Sequence, residues 1–269
     1  MRKFILVIEL QLAFLSSFSQ EKKEYAEAIE DNSYLIEEAY NQEAKIVQHI
    51  SNGYFKGNDF LYSFTQEWPV AGVKHQLSYT IPYSFINSNS INGVGDVLIN
   101  YRYQILYKEK WACVAPRVSI VLPTGNYKKE FGMGAWGVQF NLPVSKRISN
   151  HFVLHMNAGS TLYINAKYPM ITGDDGKKNL SLYNIGGSII WLAKSKFNFM
   201  LECLENFNSS FDINGNILHT NETILNPGVR FAIDIKNLQI VPGISAPITF
   251  TGNNYQTSFF AYLSFEHPF

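Results

Sequence analysis

The stretch "HQLSYTIPYSF", residues 75–85, places His75, Leu77, Tyr79, Ile81, Tyr83 and Phe85 at alternate positions, with Gln76, Ser78, Thr80, Pro82 and Ser84 between them. Successive side chains of a strand point to opposite faces, so this segment has one large apolar face and one small polar face. One such strand fits a soluble sandwich. A chain built from many of them needs an apolar solvent outside its sheet.

The alternation recurs in most of twelve strand-like segments, at 45–56, 59–70, 73–87, 96–107, 111–122, 135–147, 151–163, 180–194, 197–211, 222–235, 238–249 and 255–268. In 96–107 the apolar parity carries Val97, Ile99, Tyr101, Tyr103 and Ile105, against Asn100, Arg102 and Gln104. In 135–147 Trp136, Val138, Phe140, Leu142 and Val144 oppose Gly137, Gln139, Asn141 and Ser145. The first segment, with His49 and Ser51 among its apolar residues, fits least well. After the N-terminus no run approaches the roughly 18 apolar residues of a membrane helix.

The connections alternate too. Short ones (71–72, 108–110, 148–150, 195–196, 236–237) interleave with a second set rich in Gly, Asn, Ser, Asp or Lys (88–95, 123–134, 164–179, 212–221, 250–254), of which only the first, 57–58, is short. Transmembrane barrels have short periplasmic turns and longer extracellular loops. The fold class expected is therefore all-β: an antiparallel transmembrane barrel of about twelve strands over residues 45–269, in the bacterial outer membrane. An even strand count puts both ends of the barrel on the periplasmic side. Leu263, Phe265, His267 and Phe269 share one parity, as in the closing strand of outer-membrane barrels, so Phe269 is expected to engage the barrel assembly machinery. Trp68 and Trp191 fall near the expected periplasmic ends, and Tyr83, Phe85 and Trp136 near the extracellular ends, as girdles against outer-membrane lipid.

The N-terminus differs. Residues 1–19 read as a secretory signal peptide: Arg2 and Lys3, an apolar stretch, then Ser17 and Ser19 at the cleavage-site positions. Residues 20–44 form a short acidic periplasmic segment with eight acidic and two basic side chains. Formal net charge over the whole chain is zero, so no basic field points to nucleic acid. Two cysteines are too few for a disulfide scaffold, and Cys113 falls on the inner parity and Cys203 on the outer, so no bridge is expected.

"GVGDVLINYRYQIL" (93–106), "APRVSIVLPTGNYKKEFGMGAWGVQFNLPVSKRISNHFVLHMNAG" (115–159) and "LIEEAYNQEAKIVQH" (35–49) resemble the outer-membrane transporters named after the meta-pathway of phenol degradation, relatives of the long-chain fatty-acid transporter superfamily, with the last stretch similar to members from the Bacteroidetes. The resemblance implies a barrel and the passage of small or hydrophobic molecules. The fatty-acid transporters carry a sizeable N-terminal hatch; about 25 residues precede the barrel here, so a full hatch is not expected.

Three motifs suggest chemistry and are outweighed. "GMGAWG" (132–137) satisfies G-x-G-x-x-G, but a strand follows it where a dinucleotide site needs a helix. His151 and His155 have the spacing of a helical metal pair, yet four residues of strand span roughly 13 Å, too far to share an ion. "HISNG" (49–53) matches the His–Ser stretch of outer-membrane phospholipase, and leaves a lipid-modifying enzyme using His49 and Ser51 as an alternative. No enzyme activity, cofactor or metal is expected.

The polar parity sends Arg102, Arg117, His155, Glu202, Arg230 and Asp234 into the lumen, as a brace or a solute-selecting constriction. A cation facing lipid at mid-depth would cost about 2–4 kcal/mol, which favours this assignment. Twelve strands lie between the filled interior of eight and the open channel of sixteen, so the lumen should be narrow and charge-lined. The expected function is passage of small solutes, hydrophobic or aromatic ones among them; a barrel whose exposed loops bind a partner is the other alternative. Two inward cations on neighbouring strands, Arg102 and Arg117, call for an anion between them. Glu37 and Glu38 of the acidic segment are candidates to supply it, making that segment a plug. Pro82 and Pro242 mark either a sideways gap in the wall or bulges.

Overall fold

The computed structural model describes residues 33–87, 90–107, 111–169 and 175–269. The expected signal peptide, residues 20–32 of the acidic segment and the middle of connection 164–179 lie outside the described residues. The strands are β1 (Ile46–Lys56), β2 (Asp59–Pro69), β3 (His75–Ile86), β4 (Ile91–Val94 and Val97–Tyr103), β5 (Cys113–Val114 and Arg117–Leu122) and β6 (Gly137–Arg147). Then follow β7 (Phe152–Pro169), β8 (Asp175–Lys194), β9 (Phe197–Phe211), β10 (Ile217–Phe231 and Ile233–Ile235), β11 (Leu238–Ser245 and Ile248–Thr251) and β12 (Asn254–Thr257 and Phe259–Pro268). Every strand pairs antiparallel with its neighbours in sequence, and β1 pairs with both β2 and β12, from Ile46 opposite Pro268 to Phe55 opposite Phe259. The sheet closes on itself as a twelve-stranded barrel. Among the described residues no edge of the sheet is left unpaired, which is what a strand-built structure in lipid requires.

The alternation decides which way each side chain points. On β4, Ile99, Tyr101 and Tyr103 are exposed while Asn100, Arg102 and Gln104 are buried. On β6, Val138, Phe140 and Leu142 face out and Asn141 and Ser145 face in. Leu162, Ile185, Trp191, Phe199, Leu201 and Phe231 continue the belt on later strands. In water such a belt would be an aggregation surface; here lipid covers it.

The strand ends correct the loop reading. β7 and β8 run 18 and 20 residues, through most of the expected connection 164–179. β10 starts at Ile217, inside the expected connection 212–221, and Ile91–Val94 extends β4 into 88–95. A crossing needs about 9–11 residues, so these strands stand clear of the bilayer at one end. Asymmetry between the two rims is thus carried mainly by strand length. Outside the membrane a strand needs no apolar face, so polar, Gly-rich sequence carries no strand signal there. The exception is 123–136, which stays irregular apart from one 3-10 turn at Tyr127–Lys129.

Of the two proline positions, only Pro82 lies at a bulge. Between Thr80–Leu98 and Tyr83–Val94 the β3–β4 ladder skips a residue, and Gly95 donates to the Pro82 carbonyl at 2.8 Å across the break. Pro242 pairs with Leu263 in an unbroken ladder. Neither opens a sideways gap.

Candidate functional site

Residues 33–44 lie inside the barrel, bonded along their length to inward side chains of the wall. Glu202 of β9, fully buried, accepts the consecutive backbone N–H groups of Tyr34, Leu35 and Ile36 at 2.9, 2.9 and 3.1 Å, and Asn226 Nδ2 of β10 at 2.6 Å. Tyr34 donates its hydroxyl to the Val229 carbonyl, and its ring lies 5.4 Å from those of Phe260 and Tyr262. Gly243 of β11 makes room for it: a Cβ there would fall 2.1 Å from the Tyr34 hydroxyl. Val153, Ile190, Met200 and Val241 complete an apolar seat.

Glu37 comes next, between the two arginines. Arg102 and Arg117 are opposite partners on β4 and β5. Arg117 Nε donates to both Glu37 carboxylate oxygens at 2.9 Å, Arg102 Nη2 donates to Oε1, and Asn141 Nδ2 donates to Oε2 at 2.5 Å. Asn157 brackets the same residue, accepting its N–H at 2.7 Å and donating to its carbonyl at 2.6 Å. Burial alone would raise the Glu37 pKa, but Arg117, Arg102 and the Asn141 bond outweigh it and hold the group down at about 2. Glu38 lies 3.7 Å from Arg102 Nη1, and Glu67 is buried close by with a bond from Gln76.

Toward the rim the segment uses uncharged partners. Ala39 N–H donates to Ser145 Oγ at 2.7 Å, Asn41 N–H to Gln104 Oε1 at 3.0 Å and Gln42 N–H to Gln76 Oε1 at 2.7 Å. Thus the four sequence candidates Arg102, Arg117, Glu202 and Glu37 meet around this segment. His155 is buried 2.7 Å from Ser145 and edge-on to Tyr40; Arg230 is fully buried within electrostatic range of Tyr34. Asp234 lies apart, at the rim, paired with Lys196 at 2.8 Å. His49 and Ser51 face outward and bond away from each other, His49 to His267 and Ser51 to Tyr62. The two cysteines are not joined in a disulfide, Cys113 being buried and Cys203 exposed.

At the opposite end, connection 123–136 folds inward. Asp96, in the β4 bulge, accepts the N–H groups of Gly125 and Met133, both at 2.8 Å. A Cβ at Gly132 would fall 2.3 Å from Asp96 Oδ1, so the first glycine of "GMGAWG" serves this close approach. Alternation alone does not single out Asp96; its mark in the sequence is an acid of inner parity directly after Gly93 and Gly95. Two cavities follow the lumen. An outer vestibule of about 650 Å³ is lined by Tyr127, Phe131, Met133, Tyr163, Tyr168 and Phe211. An inner cavity of about 270 Å³ has Arg102, Arg117, Glu37, Asn100 and Glu67 in its wall. Leu98 and Gln139 line both, and Gln139 accepts a bond from Arg117 at 2.9 Å.

The family model described as "Putative MetA-pathway of phenol degradation" matches residues 36–265. The chain belongs to this family. The match takes in Ile36 to Glu43, so most of the internal segment belongs to the family pattern along with the barrel. An outer-membrane channel from Pseudomonas putida F1 is similar in structure, with 12% identity, a TM-score of 0.62 and coverage of 86% of this chain and 98% of that one. The NanC porin and the KdgM porin each share 9% identity at a TM-score of 0.51, covering 83% of this chain and 100% and 99% of theirs. At such identities the likeness speaks for the fold. No curated protein matches the sequence. The porin-type fold and the apolar belt together put this family member in the bacterial outer membrane.

Proposed function

We propose that the protein is a non-enzymatic channel for small solutes, hydrophobic and aromatic ones among them, with residues 33–44 acting as a plug in the periplasmic half of its lumen. What supports the reading is a pair of adjoining cavities that share Leu98 and Gln139 in their walls: an aromatic vestibule next to a charged chamber whose floor is this segment. Arg102, Arg117, His155, Glu202 and Arg230 serve both to brace the wall and to hold the floor. An internal N-terminal segment also favours kinship with the fatty-acid transporters, and the sequence of 35–49 an origin among the Bacteroidetes.

The test is a deletion. Removing residues 21–43 should raise single-channel conductance in a planar bilayer, and liposomes carrying the deletion variant should swell faster in small solutes than those carrying the full chain. Unchanged conductance would overturn the plug. Silence of both forms toward every solute would overturn the channel.

A further inference from the structure

The internal segment presents a carboxylate, Glu37, between two arginines, in the wall of the inner cavity that adjoins the vestibule. We propose that the channel selects small organic monoanions with a flat apolar body, and that the solute's own carboxylate takes the place of Glu37 on Arg102 and Arg117 and so favours release of the plug. The inference rests on the channel-and-plug reading above and names its substrate class and its trigger.

Charge around the arginines sets the sign of the solute. With the segment in place, Arg102 and Arg117 face Glu37, Glu38 and Glu67. When the segment leaves, Glu37 and Glu38 leave together, while Arg102, Arg117 and Glu67 stay on the wall. At least one positive charge is then in excess, and a carboxylate is the group that answers it. A neutral solute leaves that charge bare in a confined chamber, and a cation adds to it.

Geometry supplies the rest. The donors that hold Glu37 are Arg117 Nε, Arg102 Nη2 and Asn141 Nδ2, three groups converging on one carboxylate that a free carboxylate can also accept. Arg117 Nη1 is tied to Asn100 and Gln139, so the Arg117 guanidinium stays oriented when Glu37 departs. Six aromatic and sulfur side chains line the route down to it, which suits a ring more than a sugar. Lys167, Glu130 and Asp96 line the vestibule, Asp96 with its oxygens taken by the Gly125 and Met133 N–H groups. The vestibule itself therefore does not favour an anion, and the sign of the solute is read below it, at the arginines. Protons cannot substitute for the solute near neutral pH, because Glu37 stays ionised down to about 2. An anion that binds only the vacated arginines shifts the docked-to-released equilibrium by mass action.

Planar-bilayer recordings at constant ionic strength test this, with benzoate, benzyl alcohol and benzylamine added on the vestibule side of the full-length protein. Benzoate should raise the open probability severalfold, and the other two should leave it unchanged. Glu37→Gln should raise the open probability without benzoate and remove most of the response, while Arg102→Gln/Arg117→Gln should abolish the response altogether. The Glu37 variant leaves the barrel wall untouched, so it reads out the latch even where the double variant fails to assemble. Equal responses to benzoate and benzyl alcohol, or no response to benzoate while the 21–43 deletion conducts freely, would overturn the inference and leave the channel reading standing. A deletion variant as silent as the parent would overturn both.

Discussion

Glu202 is where a single residue does the most for the internal segment. A carboxylate has enough lone pairs to accept three consecutive backbone N–H groups and one amide at once, and Glu202 does so in full burial. Hydrogen bonds to a charged acceptor contribute about 1.5–3 kcal/mol each. Glu202→Gln turns the charged acceptor of the three N–H groups at Oε1 into a neutral carbonyl and puts an NH2 group at Oε2, where it meets the donor Asn226 Nδ2. We expect the segment's docking to weaken by about 2 kcal/mol, read as roughly thirtyfold faster hydrogen exchange at Tyr34, Leu35 and Ile36. Glu205→Gln is the control, because Glu205 lies on the same strand and accepts from Thr223 instead. Equal exchange rates in the two variants would show that Glu202 merely fills space.

Among the elements, the inward-folded connection 123–136 depends on Asp96. Its two bonds to Gly125 and Met133 pull both arms of the connection onto β4. Asp96→Ala removes both acceptors and leaves two orphaned donors, so the connection should open outward. Trypsin should then cut after Lys128 or Lys129 in the assembled barrel, where the parent resists; equal resistance would mean the connection is held by Phe131 alone. Much of this architecture was legible in sequence. Period-2 alternation gave the barrel, its strand number and the inward set from Arg102 to Arg230, because lipid outside and a polar lumen inside leave little choice of parity. The pairing of Arg102 and Arg117 around an acid followed from their place on adjoining strands. What was not legible has physical reasons. Strand ends beyond the bilayer lose the apolar face, so β7, β8 and β10 extend past the point where alternation stops marking them. Backbone donors carry no sequence mark, so the grip of Glu202 on residues 34–36 could not be read. Asp234 has the inward parity but sits at the rim, where parity no longer implies lumen.

At the scale of the whole molecule, direction in the membrane follows from one rim. The first and last strands end together there: Phe269 donates its N–H to the Lys45 carbonyl at 3.0 Å, and residues 33–44 enter the lumen from the same end. Four consecutive strands, β7 to β10, run 18, 20, 15 and 15 residues, so their surplus length stands above the bilayer at the opposite end. A barrel inserted from the periplasm keeps short turns such as 236–237 on that side and passes its extended hairpins outward. The β9–β10 connection is suited to a test, since Asp212 accepts the N–H groups of Asn214 and Asn216 and holds a compact, exposed turn. A protease site inserted between Asn214 and Gly215 should be cleaved on intact cells. One inserted between Lys236 and Asn237 should be cleaved only after the outer membrane is permeabilised. The reverse pattern would invert the barrel and put the vestibule of Tyr127 and Phe131 on the periplasmic side, where the route proposed for an incoming anion would have to run backwards.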